Sequence, residues 1–356
     1  MWQSIEYKDD MLEEIINMTV EEYGPENDIS QKEFIEHEYF QNPMGHAYMK
    51  LAFDEENDVL AGQYIVIPMK VKVDQQEYPV ILSLNTLTRK EYRGQKIFVS
   101  LAEEVYGECS NKGYHFCYGA PNPNSHPGFI KKLGFQDMGV MPLFLKILHP
   151  SLLVKQKFGS TILSTVARPF NVFFGKLKKT EEILTTIRID ENNVDLMDDF
   201  WQSISKKYCV MGVRDSKYIK WRYLDMPKRE YSIWAVCDDN LVMGYIIGRV
   251  TEVAGMKCGM IVDFLVSEKK SQVAAILLQK LQQEFYEQEV GLMGCLMQKH
   301  CEEARWLKEC GFFKCPKFAE PQPFPIIYRN LMQGDQTIQA DDLKNWFFTM
   351  GDYDVI

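Results

Sequence analysis

The chain has 356 residues, longer than the roughly 100–200 of a typical domain, so two folded units are expected. Hydrophobic residues at 46% and charged residues at 25% are the balance of a soluble globular protein and exclude a disordered or fibrous one. A formal net charge of -10 argues against a nucleic-acid-binding surface, which needs a concentrated basic face to meet phosphates.

Met1 to Asp10 shows no basic region followed by an apolar run, so nothing there resembles a secretory signal, and the cytoplasm is the expected compartment. Trp2 to Tyr7 reads as an opening strand. Met11, Ile15, Ile16, Met18 and Val20 then fall at helical spacing before the Gly24-Pro25 stop. A second helix is expected over Gln31 to Phe40, and alternating strands over Ala47 to Phe53 and Leu60 to Val73, with Asp54 to Asp58 as their hairpin turn. A strand at Val80 to Thr88 leads through the loop Arg89 to Gly94 into a helix starting near Gln95, with Ile97, Leu101, Val105 and Tyr106 on one face. Gly113 ends that helix. A strand at His115 to Gly119, an Asn- and Pro-rich loop, a short helix over Gly128 to Leu133 and a strand from Gly139 to Ile147 follow.

From Pro150 to Lys179 the pattern changes. Leu152, Leu153, Ile162, Leu163, Phe170, Phe173 and Phe174 are interrupted by Lys155, Lys157 and Arg168, too often for a span of about 20 apolar residues. A connector that packs between two domains is expected here, a membrane-surface role being the alternative, without stable insertion. Nine cysteines with no paired framework spacing fit free thiols in a reducing compartment. His300, Cys301, Cys310 and Cys315 resemble metal ligands only superficially, since no C-x-x-C is present, and no metal is expected.

An internal repeat organises the rest. Phe34-Ile35-x-x-x-Tyr39-x-x-x-Pro43 matches Tyr218-Ile219-x-x-x-Tyr223-x-x-x-Pro227, and each Pro precedes a strand, an acidic turn and a glycine-containing strand, at Gly62 and at Gly244. The separations are 184 residues at Pro43 and Pro227, 182 at Gly62 and Gly244, and 177 at Gly134 and Gly311. They drift steadily downward, as small deletions at turns produce, so the chain reads as a duplicated α/β (α+β) fold, each copy a mixed, mostly antiparallel sheet flanked by helices. The expected domains are 1–149 and 186–356 around a connector at 150–185. Gly334 to Ile356 reads as a short acidic helical tail with Trp346 and Phe347 as its docking residues.

The informative chemistry lies at Leu84 through Phe98, a strand, a basic loop and a helix start. Amides at a helix N-terminus are unpaired and carry the positive end of the dipole, so such a junction holds diphosphate well. Arg89, Lys90, Arg93 and Lys96 add positive charge in an otherwise acidic chain; a solvated basic loop is the alternative. The stretch resembles the acyl-CoA turn of GNAT-family acetyltransferases, Arg-x-x-Gly-x-Gly after a central strand, with Arg93 and Gly94 inside it. Asn122 and Asn124 with Lys131-Lys132-Leu133-Gly134-Phe135 are similar to that family's second motif. The resemblance spans Leu82 to Phe135 and departs from the family where Lys96 and Phe98 stand near the places of further glycines and where Ile130 stands at the position at which many members have a tyrosine that protonates the leaving thiolate.

The resemblance implies acetyl-CoA, or another acyl-CoA, as co-substrate, held by Leu87, Thr88, Arg93, Gly94, Gln95, Lys96, Ile97, Phe98, Asn122 and Asn124. It implies direct attack by a small-molecule amine or amino sugar, with a backbone amide near Leu87 polarising the thioester. His126 is the expected base and Asn85 the residue that orients the nucleophile or a water. The second copy has no glycine at Asp263 to Gln272, so it resembles the degenerate halves of tandem members such as mycothiol synthase and, more loosely, the Fem-type aminoacyltransferases. By that resemblance it shapes the substrate cleft or a homodimer interface, with Arg214 to Tyr223 as its distinctive patch; a helix packed through Tyr218 and Trp221 with Arg222 exposed is the alternative. A non-catalytic scaffold and an aminoacyl transferase are the competing readings of the whole chain.

Overall fold

The computed structural model describes residues 1–158, 184–334 and 338–353. In chain order its strands are β1 (Trp2–Glu6), β2 (Tyr48–Asp54), β3 (Val59–Val73), β4 (Gln76–Thr88), β5 (Phe116–Gly119), β6 (Gln136–Val140), β7 (Leu143–Ile147), β8 (Thr185–Arg188), β9 (Val210–Gly212), β10 (Ser232–Asp238), β11 (Leu241–Val253), β12 (Met256–Val266), β13 (Leu292–Leu296), β14 (Phe313–Lys314), β15 (Pro325–Asn330) and β16 (Trp346–Phe347). The helices are α1 (Leu12–Tyr23), α2 (Lys32–Phe40), α3 (Ile97–Asn111), α4 (His126–Lys132), α5 (Pro150–Phe158), α6 (Leu196–Ile204), α7 (Ser216–Ile219), α8 (Ser271–Glu287) and α9 (Glu302–Glu309). Among the described residues no helix is long and apolar enough to cross a membrane.

Two compact units result. The first comprises residues 1–140, 225–229 and 324–343, and the second the remaining described residues. In the first, the strand order is β1-β2-β3-β4-β5-β15-β6, antiparallel throughout except for the parallel β4–β5 pair. The acidic turn closes the β2–β3 hairpin with Asp58 at φ 52°, a left-handed value that a short polar side chain tolerates. Ile97, Leu101, Ala102 and Val105, one stripe of α3, bury against Ala52, Tyr64, Val66 and Ile81 of the sheet. Thr19, Met18 and Ile15 of α1 are buried, and that helix packs on β3 and β4.

The second unit repeats the plan with the order β8-β10-β11-β12-β13-β7-β14, in which β12–β13 is the parallel pair. The correspondence runs strand by strand, β1 to β8, β2 to β10, β3 to β11, β4 to β12 and β5 to β13. The duplicated architecture expected from the repeat is present. Its closing strands are exchanged. Residues 139–147, expected as one strand ending the first domain, form two strands: β6 stays in the first sheet, while β7 pairs with β13 and β14 in the second. Reciprocally, β15 lies between β5 and β6 in the first sheet. Pro142 separates β6 from β7, and alternation along a strand marks its faces but not its hydrogen-bonding partner.

Two other expectations are corrected. Residues 338–353 form short 3₁₀ turns and the strand β16 rather than a helical tail; Trp346 and Phe347 are buried, and β16 pairs in parallel with β9. Arg222 is buried, since α7 continues into a π-turn at Lys220–Leu224 that carries it inward, where its Nη2 donates to the Tyr353 carbonyl at 3.0 Å. Of the connector, α5 and the last residues, 184 and 185, are described, and Ile162, Leu163, Phe170, Phe173 and Phe174 lie outside the described residues.

Candidate functional site

In the first unit the polar chemistry gathers where β4 and β5 part. Their parallel register pairs Ile81 with Cys117 and Leu82 with Tyr118, while β4 runs on to Thr88. β4 bulges just beyond, because Leu84 and Leu87 face Ile65 and Gln63, three steps against two. Asn85 absorbs the extra length at φ 44°. Its amide Nδ2 donates to the Tyr39 hydroxyl at 2.6 Å and to Thr19 Oγ1 at 3.4 Å, and its main-chain carbonyl accepts Gln63 Nε2 at 3.2 Å.

The loop after β4 is tied down at both ends. Arg89 Nε donates to the Leu60 carbonyl and Nη1 to Glu21, each at 2.8 Å. Tyr92 donates to Asp54 at 2.9 Å, and hydrogen bonds from Asn57 and Tyr92 hold the Asp54 carboxyl down to about 2. Arg93 is exposed; its Nε donates to the Thr88 carbonyl at 3.2 Å, and its Nη2 lies 3.9 Å from Glu22. Gly94 has φ 87° and Lys96 has φ 65°. Lys96 therefore keeps the left-handed conformation that a glycine would adopt without strain, at roughly 1–2 kcal/mol for a residue with a Cβ. Its carbonyl accepts from Val99 and Ser100, which makes it the N-cap of α3, and the amides of Ile97 and Phe98 have no intrahelical acceptor. Gln95 is exposed beside them.

Phe98 is turned inward onto the core, its ring centroid 5.8 Å from Tyr64 and 5.3 Å from Phe129. Gly128 makes the room: a Cβ there would stand 3.3 Å from the Phe98 ring. The bulky side chain on α3 is thus matched by a missing one on α4. Asn122 builds the loop before α4, its Oδ1 accepting the amides of Asn124 and Ser125, each at 2.9 Å. His126 opens α4 with Nε2 at 3.0 Å from Asp137. Leu87, Thr88, Arg93 and the 94–98 turn are brought together, with Asn85 on the same strand; His126 is held by a different partner set, and no hydrogen bond joins it to Asn85. Sequence reasoning missed Gln63, Tyr39 and Thr19, which meet at the bulge although they lie on three separate elements.

The same location in the second unit is filled by the chain itself. Leu265 faces Tyr245 as Leu87 faces Gln63, which makes Asp263 the counterpart of Asn85. Asp263 accepts Arg214 Nε at 2.9 Å, Tyr245 at 2.7 Å, Thr349 Oγ1 at 3.1 Å and the Phe264 amide at 3.0 Å. At the strand's end, Glu303 accepts the Val266 amide at 3.2 Å, Lys207 at 2.7 Å and Tyr208 at 2.5 Å. A buried carboxylate thus occupies the Val266 amide, whose counterpart in the first unit is the amide of Thr88. The Arg214 patch, expected as a cleft lining, is an interior ion network: Arg214 Nη2 also donates to Asp352 at 2.6 Å, and the side chains are buried.

Residues 5–138, which contain the whole first-unit site, match the family model described as Acetyltransferase (GNAT) domain. No curated protein matches the chain by sequence. By structure the chain is similar to a GCN5-related N-acetyltransferase from Anabaena variabilis, at 11% identity and TM-score 0.66, covering 93% of this chain and 73% of that one. It is also similar to a probable N-acyltransferase from Enterococcus faecalis, at 12% identity and TM-score 0.63, covering 93% of this chain and 72% of that one. Saccharomyces cerevisiae N-myristoyltransferase with bound myristoyl-CoA matches at 9% identity and TM-score 0.64, over 100% of this chain and 89% of that one. The fold of the whole chain is therefore that of tandem GNAT proteins. Its first unit carries the GNAT acetyltransferase domain.

Proposed function

We propose that the chain is an acyl-CoA-dependent N-acyltransferase, with acetyl-CoA as the first co-substrate to test and a small amine or amino sugar as acceptor. The observation that supports this most is the turn at 93–98: a glycine-type backbone path kept at both Gly94 and Lys96, leading to unpaired first-turn amides on α3 beside the parting of β4 and β5. Those amides and the cations of Arg93 and Lys96 suit a diphosphate. The amide near Leu87 is the donor proposed for the thioester oxygen, where it stabilises the negative charge that develops there. Asn85 is proposed to orient the nucleophile. His126, steadied by Asp137, is the group proposed to take the amine's proton. With Ile130 in place of a tyrosine, the leaving thiolate is proposed to draw its proton from solvent.

Titration calorimetry of the full chain with acetyl-CoA tests the reading. Binding that Arg93→Glu abolishes upholds it, and an absence of binding heat refutes it. The second reading, a non-catalytic GNAT pair, is favoured by Lys96 and Phe98 standing where glycines are usual, and absence of heat would favour it.

A further inference from the structure

The two β-bulges differ in one respect that bears on the acceptor. In the second unit every acceptor on Asp263 receives donors from the protein, Arg214, Tyr245, Thr349 and the Phe264 amide among them. In the first unit the corresponding bulge is left short of donors. Gln63 is 1% exposed; its Nε2 is spent on the Asn85 carbonyl, and its Oε1 has no hydrogen-bond partner. Asn85 directs Nδ2 at Thr19, whose hydroxyl already donates to the Ile15 carbonyl and so can only accept; that fixes the amide's orientation and leaves Asn85 Oδ1 buried and unpaired too. Buried acceptors without donors are uncommon, because each has lost water and gained nothing. Here two stand on adjoining strands at one bulge, beside Leu84 and Thr86, which are only half-buried.

We propose that Gln63 Oε1 and Asn85 Oδ1 form the seat for the nitrogen of a primary amine, which makes Gln63 a positioning residue for acyl transfer. The inference rests on the acyltransferase reading and narrows it. A neutral primary amine carries two N–H hydrogens, one for each oxygen, and keeps its lone pair free. An alcohol has a single hydrogen, and a tertiary amine has none, so neither satisfies the pair. Both seats are uncharged amides, which orient a nitrogen without being able to deprotonate it. In the step itself the lone pair forms the C–N bond at the thioester carbon and the C–S bond breaks. The nitrogen then gives up one proton to His126, the base proposed above, and the thiolate takes one from solvent to leave as free CoA thiol. In the second unit Arg214 and Thr349 supply the donors that a substrate would bring to the first.

The test uses the full chain and Gln63→Met, which keeps the side chain's length and removes both the unpaired acceptor and the Nε2 donor to the Asn85 carbonyl. Acetyl-CoA binding by calorimetry reports on the parent reading alone, and Gln63→Met should leave it unchanged. With acetyl-CoA and tryptamine, spermidine or glucosamine as probes, thiol release should show a KM for the amine raised about tenfold or more in Gln63→Met, with KM for acetyl-CoA unaltered; N,N-dimethyltryptamine should not react. An unchanged amine KM overturns the proposal while leaving the acyltransferase reading intact. Crystals of the wild-type chain grown with methylammonium carry the test if the variant fails to fold or none of the probes is acetylated. A nitrogen within about 3.2 Å of both oxygens supports the seat, and the absence of such a nitrogen, or a protein donor on either oxygen, refutes it.

Discussion

Arg93→Glu is the most direct probe of the first-unit turn. The side chain is exposed, with one 3.2 Å hydrogen bond to the Thr88 carbonyl and a 3.9 Å approach to Glu22. Such a residue contributes little to folding, within about 0.5 kcal/mol, so the melting temperature should move by no more than about 2 °C. Its loss from a diphosphate contact removes a charge-assisted hydrogen bond of about 1.5–3 kcal/mol. The new carboxylate, about 5 Å from phosphate charge in a solvent-screened setting, adds about 1 kcal/mol of repulsion. The sum, about 2.5–4 kcal/mol, is a loss of roughly 70-fold to 1,000-fold in affinity for acetyl-CoA. Calorimetry with a parallel melting curve measures both quantities. Affinity within threefold of wild type would refute a diphosphate role for this turn, and a large drop in melting temperature would show that Arg93 acts on the fold instead. Arg89→Glu is the contrasting control, because Arg89 bonds to Leu60 and Glu21 inside the protein and its loss should register in the melt.

Glu303→Ala should destabilise the chain by about 3 kcal/mol in urea unfolding, the low end because buried Lys207 loses its nearer carboxylate but keeps Glu302 at 3.4 Å and the Val266 carbonyl, and should leave acetyl-CoA affinity of the folded protein unchanged because the site lies in the first unit. Arg214→Met removes the counter-charge shared by Asp263 and Asp352 and should cost about 3–5 kcal/mol by the same assay; burial, the largest influence on Asp352, raises that carboxyl above its ordinary range. The raised Asp352 also sets a pH dependence. The folded chain holds that proton more tightly than the unfolded one, so its contribution is complete below the ordinary carboxylate range near 4 and is lost as pH rises through the elevated folded value. Urea midpoints across that range should show the fall in wild type and not in Asp352→Asn. A thiol reagent should label exposed Cys209 first, and Cys109, which burial pushes up to about 12, only on unfolding.

Periodicity and turn residues carried most of the elements: β2 and β3 around the acidic turn, α3 on its apolar stripe, and the repeat that joins Tyr39 to Tyr223. Lys96 and Phe98 were legible as departures from a glycine turn, but their consequences were not. Whether Lys96 adopts a left-handed backbone depends on the whole loop between Thr88 and α3, and whether Phe98 turns inward depends on Gly128, thirty residues on. Gln63 escaped notice because an isolated glutamine in an apolar strand carries no signal until the strand opposite bulges. The partners of β7 and β15 are likewise long-range choices, settled by which sheet has an edge to offer.

That exchange of closing strands has a consequence for synthesis. β5 and β6 are separated by a gap that β15 fills, and β15 emerges from the ribosome about 185 residues after β6, or roughly 10–40 s later at ordinary elongation rates. Until then the nascent first sheet has two unsatisfied edges, and β7 waits for β13 in the same way. The doubled gene product therefore cannot be divided at its midpoint into two working halves. Both sheets are complete only once the whole chain has been made.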